Sequence, residues 1–368
     1  MTASQRSSHL FLSLLQARVG ASLVSRLGGL PPDDLLEMAP VELASRARLT
    51  ERAAREFEKL RVVFDPDAIY TDLARRNLYV LTLADGGYPG RLREIPDPPP
   101  ALFVSGEVPD VPAVALVGSR KASGTGLECA RALGGALGER GVCVVSGLAL
   151  GVDAAAHEGA LEAGGPTVGV LGCGIDVVYP RDNRTLFRAV EGAGALVSEY
   201  YLGEPPLGWR FPARNRVIAG LCDAVVVVEA PQKSGALITA RHGAESGRDV
   251  WAVPGPLGVL ECQGSNRLLA DGASVLWDIP EFVEAYAQGI KALIDTAAPS
   301  GEQPVPASLP EGEAAVLSGV GLEPTEVDAI SGRSGLETHK VLSALALLEL
   351  KGYVARGPGG HFVRRTAL

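Results

Sequence analysis

The 368-residue chain contains five cysteines, and none of them forms a C-x-x-C pair. That scarcity excludes a disulfide framework and the usual thiolate zinc sites. Most of the five (Cys129, Cys143, Cys173, Cys222 and Cys262) stand in apolar strand or helix contexts and read as small core residues. The five histidines are equally dispersed, so no metal site is expected. Aromatic residues make up 5% of the chain, which leaves little surface for stacking nucleobases. Long hydrophobic runs are missing too. The run LFLSLL at residues 10–15 is too short for a signal-peptide core or a bilayer span. A cytoplasmic protein without a membrane partner is therefore expected. Positive charge is also short: the formal net charge of −9 argues against coating duplex DNA through bulk charge. A local basic crevice on an acidic body stays compatible with it. Arginine outnumbers lysine, which a GC-rich genome explains as well as phosphate recognition does.

What is present is ordinary globular composition, 46% hydrophobic and 21% charged, in a chain long enough for two or three domains. Residues 1–68 read as a small helical module of SAM or helix-hairpin-helix type. It runs from VGASLVSRLGGL through stretches punctuated by Pro31, Pro32 and Pro40 to the amphipathic TERAAREFEKL. No basic cluster marks its Val19–Gly20 turn, which favours packing or partner binding over DNA contact. From residue 69 to 290 apolar runs alternate with helical patterns. YVLTL, VALVG, VCVVS, TVGVL, LVSEY, AVVVVE and DVWAV are uninterrupted, as strands covered on both faces should be. That order predicts an α/β fold, an extended Rossmann-like, doubly wound parallel sheet, entered through the stiff segment PDPPP. Residues 291–310 read as a linker. Residues 311–368 give three helices and two short strands around a Gly-Pro-Gly-Gly turn, the pattern of a winged helix. With six Lys/Arg against seven Asp/Glu in that segment, docking onto a protein is at least as reasonable as reading a duplex.

The informative segments fall where strands stop. In an open α/β sheet the carboxyl ends of the strands share one edge, and ligands bind there. In VGSRKASGTG, Gly118 allows close backbone approach, Ser119 and Ser123 offer hydroxyls, and a helix opens near Gly124 with its N–H groups outward. Ser123 also fits a plain N-cap. Arg120 adds a planar fork that grips two phosphate oxygens. No G-x-G-x-x-G occurs, so a dinucleotide cofactor is not indicated. In SGLALGVDAAAH, Ser146 and Gly147 end a strand, and Asp153 and His157 share a helix face. Without a nucleophile or a third orienting residue, they read as a first-turn carboxylate and a histidine fixed by it. GCGIDVVYPRDN places Arg181, Asn183 and Arg184 at a helix start, where two arginines oppose the dipole and an arriving anion would relieve them. FPARNR adds Arg214, Asn215 and Arg216. These either neutralise successive phosphates, or cap the next helix and pair with Glu199 or Glu229. EAPQKSGALITA closes the set with Lys233, Ser234 and Gly235 at another helix start. Gly, Ser, Asn and Arg recur while nucleophiles and metal ligands do not. Holding phosphates, without catalysis, cofactor or metal, is the expectation.

These segments, together with YPGRLREIPDPPPALFVSG, SEYYLGEPP and AVPG, occur in order across about residues 88–275. They resemble the successive motifs of the DNA-processing protein A (DprA/Smf) family. The resemblance implies a bacterial protein that binds single-stranded DNA, dimerises through its Rossmann-like domain and helps RecA load on incoming strands in natural transformation. It carries the phosphate pocket onto Gly118, Ser119 and Arg120, and more loosely onto Arg181 and Arg184, since the family often has lysine where Arg181 stands. If about five Arg/Lys touch phosphates, log affinity falls with log salt at a slope near −3.5, roughly a hundredfold loss between about 50 and 200 mM. Tyr179, Phe187, Trp209 and Phe211 are the nearest aromatic candidates, so stacking and sequence preference should be limited. The rival is a LOG-type nucleotide phosphoribohydrolase. Pro231 and Gly235 fit that family's Pro-Gly-Gly-x-Gly-Thr-x-x-Glu segment. Gln232, Lys233 and Ala236 depart from it, and Thr239 occupies the place of the catalytic glutamate. A nucleotide sensor is a third reading, which the appended winged helix fits less well.

Overall fold

Short apolar runs become strands here because helices cover both faces of the sheet that they build. The computed structural model describes residues 3–19, 36, 38, 42, 50–284, 310–321, 325, 327–350, 353–356 and 362–364. They fall into two compact units, residues 1–293 and 294–368. The first holds a nine-stranded sheet. Its strands are β1 (Leu78–Thr82), β2 (Ala101–Gly106), β3 (Ala113–Val117), β4 (Cys143–Ser146), β5 (Thr167–Gly174), β6 (Gly194–Tyr200), β7 (Ala224–Val227), β8 (Asp249–Ala252) and β9 (Ser274–Val275). Their order is β1-β2-β6-β5-β4-β3-β7-β8-β9. From β3 the chain winds outward through β4, β5 and β6, with α7 (Arg184–Ala193) before β6, then returns to place β7, β8 and β9 on the other side, with α10 (Gln263–Ala270) before β9. The doubly wound Rossmann-like fold is thus present.

Every strand expected from the sequence occurs, but the sheet is not wholly parallel. β1 pairs antiparallel with β2, and β2 antiparallel with β6. Between β1 and β2 the chain has only a one-turn helix, α4 (Gly90–Arg93), which is too short for the crossover that a parallel pair requires. β2 itself was hidden behind the proline-rich entry, and its strand character comes from partners on both sides.

Alternation in β3 divides the core. Ala113, Ala115 and Val117 face a cluster with Val217 and Ile218 of α8 (Arg210–Gly220) and with Ala236 and Ala240 of α9 (Ala236–Glu245). Val114 and Leu116 face Leu133 and Leu137 of α5 (Gly124–Glu139) and Val152 and Ala156 of α6 (Val152–Glu162). Leu116 is fully buried, and its truncation to alanine should cost about 2–5 kcal/mol. The α5–α6 contact is close enough that a Cβ on Gly134 would lie 2.2 Å from the Ala156 carbonyl oxygen.

At the N-terminus, α1 (Ala3–Val19) packs on two sides. Leu10 joins Leu73, Val80 and Phe103 beside the sheet, while Phe11 and Leu15 meet Phe57 and Leu60 of α2 (Glu51–Val63). Thr50 caps α2 by accepting from the Ala53 amide at 3.3 Å, and Asp65 caps α3 (Pro66–Arg75), with Pro66 in its first turn. The Val19–Gly20 turn and most of residues 20–49, with their expected short helices, lie outside the described residues.

The second unit contains α11 (Glu311–Gly319), α12 (Val327–Ser334), α13 (Thr338–Leu350) and a hairpin of β10 (Val354–Arg356) and β11 (Phe362–Arg364). Val316, Ile330, Leu345, Leu348 and Phe362 form its core. The exposed part of α13 carries Leu342 and Leu347 rather than a row of cations. The linker at 291–309 and the Gly-Pro-Gly-Gly turn lie outside the described residues. Among the described residues no helix is long and apolar enough to cross a membrane.

Candidate nucleic-acid interface

The winding of the sheet sets β3 beside β7, and this pair is the topological switch point where open α/β sheets leave a crevice. The turns that leave the two strands are bonded together. The Ser119 amide donates to the Glu229 carbonyl oxygen at 2.7 Å, and the Val152 amide at the start of α6 donates to the Ser119 carbonyl oxygen at 3.2 Å. The Glu229 carboxylate accepts from the Ser123 amide at 2.8 Å and from the Ser123 hydroxyl. That hydroxyl also accepts from the Gly126 amide at 3.1 Å, so Ser123 is the N-cap of α5. Gly118 serves packing rather than ligand approach, since a Cβ there would lie 2.5 Å from Val152 Cγ2. Gly124 and Gly235 have open space around them. Gly151 at φ +83° marks a tight crossing in this frame: a Cβ on it would lie 2.3 Å from the Ser119 carbonyl oxygen.

Above this frame opens a crevice of about 710 Å3, lined by Arg120, Lys121, Tyr179, Phe211, Asn215 and Ser234 among others. Arg120 and Lys121 are exposed and make no ion pair among the described residues, although the charge of Arg120 reaches the buried Asp153. The Arg120 guanidinium lies 5.3 Å from the Phe211 ring centre, and the Tyr179 ring lies 5.4 Å from the same ring, tilted by 36°. Two aromatic rings and a guanidinium therefore form one ledge. Phe187 is buried elsewhere in the core. Lys233 is exposed beside Ser234, whose hydroxyl accepts from the Ala236 amide at 3.2 Å.

Several residues expected to grip phosphates hold the protein together instead. Ser146 is buried and donates to the Leu116 carbonyl oxygen at 2.6 Å. Arg214, 4% exposed, donates to the carbonyl oxygens of Gly147 (3.1 Å) and Val170 and to Asn215 Oδ1 (3.2 Å). Burial pulls its guanidinium down to about 10, opposed by the charge of Asp153. Asp153 accepts from the Gly147 amide at 3.1 Å and the Ala149 amide at 3.4 Å. Burial pushes its carboxyl above the usual range, opposed by Arg214 and these amides. Gly147 is wedged between the two, because a Cβ there would lie 2.5 Å from Arg214 Nη2 and 2.7 Å from Asp153 Oδ2. Asn215 donates to the Gly235 carbonyl oxygen at 3.1 Å. Arg216 is buried against Glu199, with Asp97 at 3.4 Å. Of the two readings of FPARNR, pairing with Glu199 is the one realised for Arg216. Asn183 donates to the carbonyl oxygens of Leu148 (2.9 Å) and Ala149 (3.3 Å) and so clamps Leu148 at φ 54°, a backbone conformation uncommon outside glycine.

Arg181 stands exposed two residues from Tyr179. Arg184 is exposed too but lines a separate groove with Arg76, Phe187 and Glu191. His157 does not bond Asp153. Its Nδ1 lies 2.7 Å from Thr167 Oγ1, whose own proton goes to the Val144 carbonyl oxygen at 2.7 Å. Nδ1 must therefore carry a hydrogen, and burial pulls the imidazole down to about 3. Lys121 was missed by sequence reasoning, although its place beside Arg120 was a usable signal. Among the described residues no group of His, Cys, Asp and Glu is placed to hold a metal ion.

Residues 79–287 match the family model for DNA recombination-mediator protein A, and residues 300–360 match the DprA winged helix domain. The chain belongs to the DNA recombination-mediator protein A family. Protein Smf of Escherichia coli (strain K12) is 39% identical over 302 residues, 80% of each chain. Protein Smf of Synechocystis is 35% identical over 383 residues, 94% of this chain and 96% of the relative. Among solved structures, DprA of Streptococcus pneumoniae superposes with a TM-score of 0.64 at 32% identity, covering 77% of this chain and 98% of that one. DprA of Helicobacter pylori, solved for its single-stranded DNA binding mode, gives a TM-score of 0.53 at 30% identity, over 57% and 97%. The motif resemblance and the winged helix read from the sequence both hold.

Proposed function

We propose that this chain binds single-stranded DNA along the carboxyl edge of its sheet and acts in DNA processing during transformation and recombination. In this reading Arg120, Lys121, Lys233 and Arg181 hold the phosphates, helped by Ser119 and the open backbone at Gly124 and Gly235. A base rests against Tyr179 and Phe211. One observation carries the proposal: at the switch point Arg120 and Lys121 are exposed and make no ion pair among the described residues, while Arg214 and Arg216 are already committed to internal partners. The single-strand binding of the Helicobacter pylori relative supports the same ligand. Gel shifts of an oligothymidine with Arg120→Ala test it. The expected result is several-fold weaker binding with an unchanged fold, and unchanged affinity at moderate salt defeats the assignment.

The finer role follows the family. The strand is protected in the crevice, a homodimer forms through the Rossmann-like domain in the cytoplasm, and RecA is helped to load. The exposed Leu342 and Leu347 of α13 favour protein docking for the winged helix. Filament assembly by RecA on a strand pre-coated with the protein, and sedimentation of the free protein, test the two partner claims. The rival reading as a phosphoribohydrolase lacks its agent: Thr239 is 1% exposed, and the Glu229 and Asp153 carboxylates are occupied by Ser123 and backbone amides. Robust release of ribose 5-phosphate from AMP would overturn this preference.

A further inference from the structure

The loop that borders the crevice also borders a second cleft. Gly208 and Phe211 line the first, while Trp209 between them lines a cleft of about 440 Å3 with Arg18, Val19, Thr50, Arg52 and Ala53. Trp209 is 46% exposed, and its position is fixed from below. Arg210, buried beneath it, donates to the Ala17 carbonyl oxygen at 3.1 Å, to the Pro205 carbonyl oxygen at 2.9 Å and to Glu204 at 2.7 Å. The Arg210 guanidinium lies 5.3 Å from the Trp209 ring and 4.4 Å from the Tyr200 ring. One buried cation thus ties the end of α1 to the loop and backs the indole. Arg18 and Arg52 arrive from different helices. Among the described residues Arg18 pairs with Glu56 at 3.9 Å, and Glu56 is held more closely by Lys59 at 2.8 Å. Arg52 is exposed and has no ion pair among the described residues.

An exposed, backed indole sharing a cleft with two under-neutralised guanidinium groups is the pairing that single-strand binders use: a stacking face with phosphate contacts beside it. We propose that this cleft is a second subsite for the same DNA strand, reached as the strand leaves the crevice across Gly208. Trp209 stacks one base there, and Arg18 and Arg52 hold the flanking phosphates. The N-terminal helices thereby become part of the nucleic-acid path. The inference rests on the crevice being the strand's first site.

The test compares two oligothymidines, about 5 and about 15 nucleotides long, within the usual span of single-strand sites. Binding to the full chain is read by anisotropy across a salt series and by tryptophan fluorescence. The Arg18→Ala/Arg52→Ala variant should bind the long oligomer about tenfold more weakly and the short one unchanged. Its salt slope for the long oligomer should be shallower by about 1.4, two contacts at about 0.7 each. The long oligomer should quench fluorescence in the native chain and not in Trp209→Phe, a change that keeps an apolar ring over Arg210. If the double variant binds both oligomers like the native chain while Arg120→Ala weakens both, the cleft is not on the path and the crevice reading stands. Equal weakening of both lengths by the double variant likewise overturns the subsite. If Arg120→Ala also changes nothing, the crevice reading fails first and the subsite falls with it.

Discussion

Replacing Arg120 by alanine removes an exposed cation that makes no ion pair among the described residues and only adds to Arg214 in favouring the Asp153 carboxylate. Its internal contact is the face of Phe211 at 5.3 Å. Stability should therefore stay within about 0.5 kcal/mol of the native chain. Binding should not. Burial removes Arg214 and Arg216 from the phosphate count, and the proposed ligands are then Arg120 and Lys121, which line the crevice, with Arg181 and Lys233. Four contacts at about 0.7 each give a slope of log affinity against log salt near −2.8, or roughly a fiftyfold loss between about 50 and 200 mM. Without Arg120 the slope should fall to about −2.1. Fluorescence anisotropy with a labelled oligothymidine over that salt range measures both numbers. A variant with native affinity and native slope would show that the strand does not cross Arg120, and the crevice would lose its main phosphate ligand. An intact slope with weaker binding would instead assign Arg120 to stacking beside Phe211 rather than to charge.

Three other perturbations separate scaffold from surface. Arg216→Met strands Glu199 in the interior and should cost about 3–5 kcal/mol in urea unfolding, with single-strand affinity of the folded fraction unchanged; a specific loss of affinity would return Arg216 to the phosphate count. Gly151→Ala forces a side chain into φ +83° and against the Ser119 carbonyl oxygen. It should lower stability by about 1–3 kcal/mol and weaken DNA binding by shifting the Ser119–Arg120 turn, so native values for both would remove that crossing from the site. His157 is neutral when folded, with its pKa pulled down to about 3, whereas the unfolded chain protonates it near 6.5. Its contribution is complete above about pH 6.5 and declines by up to about 1.4 kcal/mol per pH unit as pH falls toward 3. His157→Gln should flatten the pH dependence of the melting temperature over that window, and an unaltered profile refutes the buried neutral imidazole.

Strands were the easiest feature to read, because runs such as VALVG and AVVVVE carry apolar side chains for both faces of a covered sheet. Ser123 was also legible as a cap, since capping is decided within one helical turn. β2 was not, because its neighbours in sequence are prolines and its strand partners lie far along the chain. The arginines show the limit most clearly. Arg120, just past the end of β3, and Arg214, in the first turns of α8, both stand in motifs that border the crevice. One reaches solvent, and the other spends its donors on the carbonyl oxygens of Gly147 and Val170. Nothing within either motif distinguishes them.

By itself the chain's order of residues determined the α/β class, the family and the set of turns that meet along one edge, because periodicity and turn chemistry are local properties. Tertiary structure decided which strands stand together at the switch point and which cations remain unpaired there. It also decided that Trp209, Arg18 and Arg52 meet in one cleft. Burial and pairing depend on residues far apart in the chain, and a guanidinium binds phosphate only where the fold has left it without a nearer partner.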